Sequence, residues 1–299
     1  MGGSLVMQVS PAIAVLGSLV LSFSFVAFLY LWKLAGFEDA SRDETGTIQR
    51  RFVSALLSCL CSACLIYALS QETQSHRGFS LLELLGLQSP GAATACAACL
   101  LLTAVLFVGP LVQHFVTFMQ GDAPLVSLPG GGTWIALRNL LFAPFTEEFV
   151  FRACLVRLWV AASFPTAAVI FCSPFCFAIA HAHHFIEHVR RTGHKQTALM
   201  QVAFQVFYTS LFGMYCNFLL LRTGSTLAVI LTHSFCNHQG FPDLSLFVMR
   251  NHPLHQHRNW LGILYLVGIV TFGYLMMPLT QDFKSNFVPM GHDVDQQQS

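Results

Sequence analysis

Uninterrupted apolar stretches set the organisation of this chain, with polar residues gathered into short intervals between them. A crossing of a bilayer takes roughly 20 apolar residues as helix. On that measure the sequence predicts eight crossings, over residues 11–32, 52–70, 91–119, 143–162, 165–184, 197–221, 225–240 and 260–279. Breakers support the division. Gly109 and Pro110 predict a kink inside the third stretch, and Pro174 a bend in the fifth. A loop rich in glycine and proline, residues 121–132, precedes the fourth, which is expected to begin near Ala143 with Pro144 and Thr146 as start signals. Leu81, Leu82, Glu83, Leu84 and Leu85 read as an interfacial turn. No internal repeat or long linker divides the chain. The expected fold is all-α: a polytopic membrane protein of about eight transmembrane helices around a polar cavity, one integral membrane domain over residues 1–299.

Composition agrees, since 55% of residues are hydrophobic and only 10% charged, against ~25% charged in a soluble domain. A net charge of +1 without a basic arm excludes nucleic acid as a partner and leaves membrane lipid as the surroundings. The ten cysteines lie in apolar runs, where they behave as small hydrophobes, and the C-x-x-C spacing of Cys61 and Cys64 has no second pair to complete a zinc site. Residues 1–32 contain no Lys or Arg, so the first apolar run reads as a span and not as a signal peptide. With eight spans, the intervals after spans one, three, five and seven hold Lys33, Arg42, Arg50, Arg51, Arg138, Arg190, Arg191, Lys195, Arg250 and Arg258, which is ten of the fifteen basic residues. The opposite intervals hold Arg77, Arg222 and Lys284. By the positive-inside rule the first set faces the cytosol.

Charge inside a span changes the picture. Ala143-Pro144-Phe145-Thr146-Glu147-Glu148-Phe149-Val150-Phe151-Arg152 puts three ionisable residues into apolar sequence, each at a cost of ~2.5–3.5 kcal/mol at a helix centre, which marks a functional site. Glu148 and Arg152, four apart, share a helix face and are placed to pair, while Glu147 points about 100° away. One carboxylate is then structural and the other is assigned to chemistry. The topology brings further polar residues to the same depth: His181, with Phe177 one turn earlier, near the cytosolic end of span five, and His233 with Asn237, four apart, in the second half of span seven.

A carboxylate, two imidazoles and an amide suit hydrolysis by an activated water. The glutamate takes a proton from water and returns it to the leaving amine, a histidine positions the water, and His and Asn donors hold the oxyanion. No serine or cysteine lies in a G-x-S-x-G elbow. Two rival readings stand beside this one. His184-Phe185-Ile186-Glu187-His188 spells the H-x-x-E-H order of a metal hydrolase, within the histidine cluster 181–188. The intramembrane charges would also serve an ion- or proton-coupled transporter, though the repeated halves common in that class are missing.

These residues resemble the type II CAAX prenyl endopeptidases, a family of glutamate-dependent intramembrane proteases. The E-E-x-x-x-R motif matches Glu147, Glu148 and Arg152, F-x-x-x-H matches Phe177 and His181, and H-x-x-x-N matches His233 and Asn237, over a motif core of about 139–242. The flanking words Tyr208-Thr209-Ser210-Leu211-Phe212-Gly213 and Gly240-Phe241-Pro242 look like the eukaryotic enzyme as well. The resemblance implies a multi-pass enzyme of the endoplasmic reticulum membrane with its site toward the cytosol. It would remove the last three residues of farnesylated or geranylgeranylated CAAX proteins, Ras-type small GTPases among them. It implies Glu147 as the base, His181 as its partner, His233 with Asn237 as the oxyanion site, support from Glu148, Arg152 and Phe177, and no metal or other cofactor.

The loop bias carries a topological prediction. A glycosylation acceptor inserted into residues 33–51 or 188–195 should remain unmodified, as a gel-shift assay would read. Glycan on either loop would reverse the orientation.

Overall fold

The computed structural model describes residues 4–37, 41–73, 78–124, 128, 130, 132–180, 185, 188–189 and 193–287. Among these residues four helices are long and apolar enough to cross a membrane: Pro11–Leu29, Thr45–Ala68, Lys195–Thr223 and His255–Leu275. The pair Ala92–Leu106 and Val108–Met119 makes a fifth crossing if counted as one bent span. The expected first, second, third, sixth and eighth crossings correspond to these elements. The stretches expected to hold the other three contain shorter helices: a composite run between Thr133 and Ala161, the pieces Thr166–Phe171 and Pro174–Ala180, and Thr226–Gln239. A two-stranded antiparallel ladder joins Ser4–Met7 to Ser70–Thr73. The fold is therefore all-α and membrane-spanning, with this one small ribbon among the described residues.

The described residues of Met1–Pro90, Phe145–Thr226 and Lys284–Ser299 form one compact unit, and those of Gly91–Pro144 and Leu227–Phe283 a second. In the first unit, Leu21, Ile48, Ile66, Leu155, Leu158, Leu219 and Leu220 are fully buried. Trp159 joins them and donates its indole N–H to Ser18 Oγ at 3.0 Å, so a buried donor is satisfied inside an apolar contact. Leu16, Val20 and Phe23 on the other side of the first helix are exposed, as a lipid-facing stripe has to be.

The leucine-rich stretch expected at the interface forms a short helix, Leu81–Leu84, with Leu82 exposed and Leu84 buried. Ser80 and Glu83 close a capping box around its first turn, and Leu84 and Leu85 are both 2% exposed. Arg157 holds the buried side of this stretch. Its Nε donates to Leu84 O at 2.7 Å, its Nη1 donates to Asn286 O at 2.8 Å, and its guanidinium lies 3.9 Å from the ring centroid of Phe287. Asn286 in turn donates to Glu83 O. Gly224, at φ +64°, ends the helix Lys195–Thr223, and a Cβ there would come 3.0 Å from Ser285 Cα. Residues 284–287, which follow the last apolar stretch, are thus a fitted part of this unit.

In the second unit the bend is 71° and falls at Phe107, ahead of the Gly109-Pro110 pair. Pro110 has no N–H to return to Leu106 O, so the helix breaks on the N-terminal side of the proline. A Cβ on Gly109 would come 2.4 Å from the Tyr265 ring, and one on Gly268 2.8 Å from Val105 O. Absence of side chains at both positions lets the last helix seat against the break. Leu246, Leu254 and Leu261 form a buried cluster with Val112, Val116 and Phe247 packed on it.

The helix that ends at Ala161 closes in a Schellman motif. Ser163 N–H donates to Val160 O and Phe164 N–H to Trp159 O, with the Trp159 and Phe164 rings 4.5 Å apart. Ser163 holds the left-handed position at φ +57°, where glycine is the favoured residue. Ser163→Gly should therefore raise the thermal midpoint, by an amount corresponding to up to about 1 kcal/mol. A lower midpoint in thermal unfolding would show that the Ser163 side chain contributes more than its backbone strain removes.

Candidate active site

The glutamates lie in a helical run that starts earlier than the sequence suggests. Gly132 is extended, its carbonyl accepts from Ala136 N–H, and helix runs from there through Thr133–Leu137, a π-helical turn at Arg138–Phe142, the α-helix Ala143–Glu148, a second π-helical stretch at Phe149–Val156, and Arg157–Ala161. Pro144 is consequently inside the run and not at its start. The wider π register tolerates the missing N–H, and single π turns of this kind gather at functional sites.

Glu148 and Arg152 pair as the spacing predicts. Arg152 Nε is 3.1 Å from Glu148 Oε2, and the two side chains are 2% and 0% exposed. The guanidinium also faces the Phe177 ring at 4.8 Å. Phe177 packs at 4.6 Å on Phe151, which meets Phe25 edge-on at 5.4 Å. Close to the same cation runs the helix Lys195–Thr223: a Cβ on Gly213 would fall 3.3 Å from Arg152 Nη2 and 2.8 Å from Pro174 Cβ. Gly213 is therefore where the site needs the smallest residue. Arg152 Nη1 and Nη2 are buried without a hydrogen-bond partner among the described residues, so Glu148 and the aromatic face carry most of the compensation. Glu147, one residue earlier, is only partly buried. The two neighbouring carboxylates thus occupy different surroundings.

His233 and Asn237 lie on Thr226–Gln239 in the second unit, whereas Glu147, Glu148, Arg152 and Phe177 belong to the first. His233 is 6% exposed and Asn237 half-buried. Asn237 Nδ2 donates to Asn139 O at 2.9 Å, Ser234 Oγ donates to Leu140 O, and Phe235 meets Phe107 edge-on at 5.8 Å. The exit from this helix is held as well. Gln113 Nε2 donates to Asp243 O at 3.2 Å and Tyr265 Oη to Gln113 Oε1 at 2.7 Å. Hydrogen bonds from Ser245 hold the Asp243 carboxyl below its usual pKa, and His252 Nε2 stands 3.4 Å from it. Asn139, Leu140, Ser234 and Gly213 were not singled out as site residues by sequence. The one available signal was Pro144, whose missing N–H requires other donors for nearby carbonyls.

His181 lies outside the described residues, as do His184 and Glu187 of the H-x-x-E-H word. Among the described residues no group of three or more His, Cys, Asp or Glu side chains is arranged to hold a metal.

Apolar helices long enough to cross a membrane, one unit of which holds a buried carboxylate–guanidinium pair, define a polytopic membrane protein. The Type II CAAX prenyl endopeptidase Rce1-like family model matches residues 129–238. The human CAAX prenyl protease 2 is 36% identical over 282 residues, which is 90% of this chain and 81% of the human protein. The Arabidopsis thaliana protein of that name is 27% identical over 93% of each chain, and the Rattus norvegicus one 32% identical over 90% of this chain and 80% of its own. No solved structure gives a significant match. The chain belongs to the type II CAAX prenyl endopeptidase family and is a membrane protease.

The neighbouring glutamates should fail differently. Glu148→Gln leaves Arg152 buried without its counter-charge and should lower stability by about 3–5 kcal/mol. Glu147→Gln should unfold close to the wild-type midpoint. Identical melting curves for wild type and Glu148→Gln would refute the pairing.

Proposed function

We propose that this chain removes the last three residues of proteins whose C-terminal C-a-a-X cysteine carries a farnesyl or geranylgeranyl group, Ras-type small GTPases among them, in the endoplasmic reticulum membrane with its site toward the cytosol. Family membership supports the substrate class, because the relatives are named CAAX prenyl proteases. The Lys/Arg bias of the loops supports the orientation. A lipid-modified cysteine keeps its chain in the bilayer, so a protease embedded there meets the scissile bond at the interface without extracting the lipid.

The observation that carries the mechanism is the buried Glu148–Arg152 pair, which separates a structural carboxylate from a partly exposed one. In this reading Glu147 takes a proton from a water that His181 positions, and the water oxygen bonds to the scissile carbonyl carbon. His233 and Asn237 hold the resulting oxyanion. Glu147 then returns the proton to the leaving nitrogen as the C–N bond breaks, which frees the tripeptide. Glu148, Arg152 and Phe177 keep the glutamate helix in place.

Purified protein should release a tripeptide from a farnesylated C-a-a-X peptide, detected by mass spectrometry. Glu147→Gln should abolish release and retain peptide binding. Turnover should also survive prolonged chelation, because the proposed charges balance without a cation. Loss on chelation, recovery with zinc alone, and equal dependence on His184 and His188 would replace the glutamate mechanism with a metal one.

A further inference from the structure

Pro144 sits in a helical run that continues on both sides of it. A proline in that setting has no N–H to give. The carbonyl four residues back loses its α-helical donor, and in a π register the carbonyl five residues back loses its donor as well. Those two acceptors are Leu140 O and Asn139 O. The π register holds here, since Ala143 N–H reaches Arg138 O, five residues back. Backbone acceptors at membrane depth need donors from within the protein. Both donors come from one helix: Ser234 Oγ to Leu140 O, and Asn237 Nδ2 to Asn139 O at 2.9 Å. Ser234 and Asn237 are three apart and share a face of Thr226–Gln239, with His233 adjacent to Ser234.

The geometry points to Ser234 as a positioning residue that docks His233 and Asn237 on the carbonyls uncovered by Pro144. This inference rests on the oxyanion role proposed for that pair. A carbonyl accepts only from the nitrogen of a carboxamide, so Asn139 O decides which way the Asn237 amide faces. One N–H of Asn237 is committed to Asn139, and the other serves the substrate oxygen. A single hydrogen bond would allow the helix to roll about its axis. A second, to the consecutive carbonyl, removes that freedom and sets the direction of the His233 ring. A displacement of about 1 Å at a reacting group lowers rate by ~100-fold, so a hydroxyl that touches no substrate has leverage on turnover.

The test uses the full chain in detergent or nanodiscs with a farnesylated C-a-a-X peptide. Ser234→Ala should lower kcat by up to about 100-fold, with KM near wild type and the melting midpoint lowered only as far as the loss of one hydrogen bond requires, and Ser234→Thr, which keeps the hydroxyl, should recover most of the loss. Pro144→Ala returns a backbone N–H within reach of these two carbonyls, Leu140 O four residues back and Asn139 O five residues back. It should lower kcat when Ser234 is present and add little to Ser234→Ala. Wild-type kcat in Ser234→Ala, equal losses in the Ala and Thr variants, or fully additive effects of Pro144→Ala and Ser234→Ala would each overturn the inference. Asn237→Ala separates the two levels. If it keeps wild-type turnover the oxyanion reading itself fails, whereas an inactive Asn237→Ala beside a fully active Ser234→Ala removes only the positioning role.

Discussion

A guanidinium 1% exposed in a membrane-spanning unit has to be neutralised by groups its own side chain can reach, and Arg152 sets that requirement for everything around it. Glu148 meets it by ion pairing and Phe177 by its ring face. The demand propagates outward. Phe177 has to be presented by Pro174–Ala180, the aromatic packing through Phe151 to Phe25 fixes that helix against the first, and Gly213 has to be bare so that Lys195–Thr223 can approach. Two adjacent glutamates consequently acquire unlike environments, which is the condition for giving one a structural and the other a chemical role.

Backbone satisfaction is the second demand, and it is met in the same way in both units. Where a helix loses a bond, a side chain from another element takes the carbonyl. Arg157 takes Leu84 O and Asn286 O at one place, and Ser234 and Asn237 take Leu140 O and Asn139 O at another. Water would serve Leu140 O and Asn139 O in a soluble protein, but in hydrocarbon it is not at hand. The breaks are therefore where distant parts of the chain become tied together, as residues 284–287 are tied to Glu83 and Arg157 and packed on Gly224.

Much of this was legible in one dimension. Apolar run length alone identifies the helices Pro11–Leu29, Thr45–Ala68, Lys195–Thr223 and His255–Leu275, because a bilayer imposes a minimum length that local sequence has to satisfy. The four-residue spacing of Glu148 and Arg152, and of His233 and Asn237, survives because helical periodicity is a local property, robust even beside a π-helical stretch. The three motifs carry the family for the same reason: each fits within one or two turns.

What composition and spacing could not reach depends on contacts between residues far apart in the chain. Pro144 reads locally as the first turn of a helix, and the run nevertheless extends back to Thr133, because donors from a helix some ninety residues later satisfy the carbonyls it exposes. The stretch from Leu81 to Leu85 has the composition of an interfacial turn, and its Leu84 and Leu85 are buried where Arg157 and Asn286 bond to the carbonyls of Leu84 and Glu83. Gly109 and Pro110 announce a bend, yet its seat against Gly268 and Tyr265 is a matter of steric fit with the last helix. Length, periodicity and charge placement are local and additive, so the amino-acid order was enough for them. The matching of orphaned acceptors to donors is pairwise and non-local, and it exists only once the chain has packed.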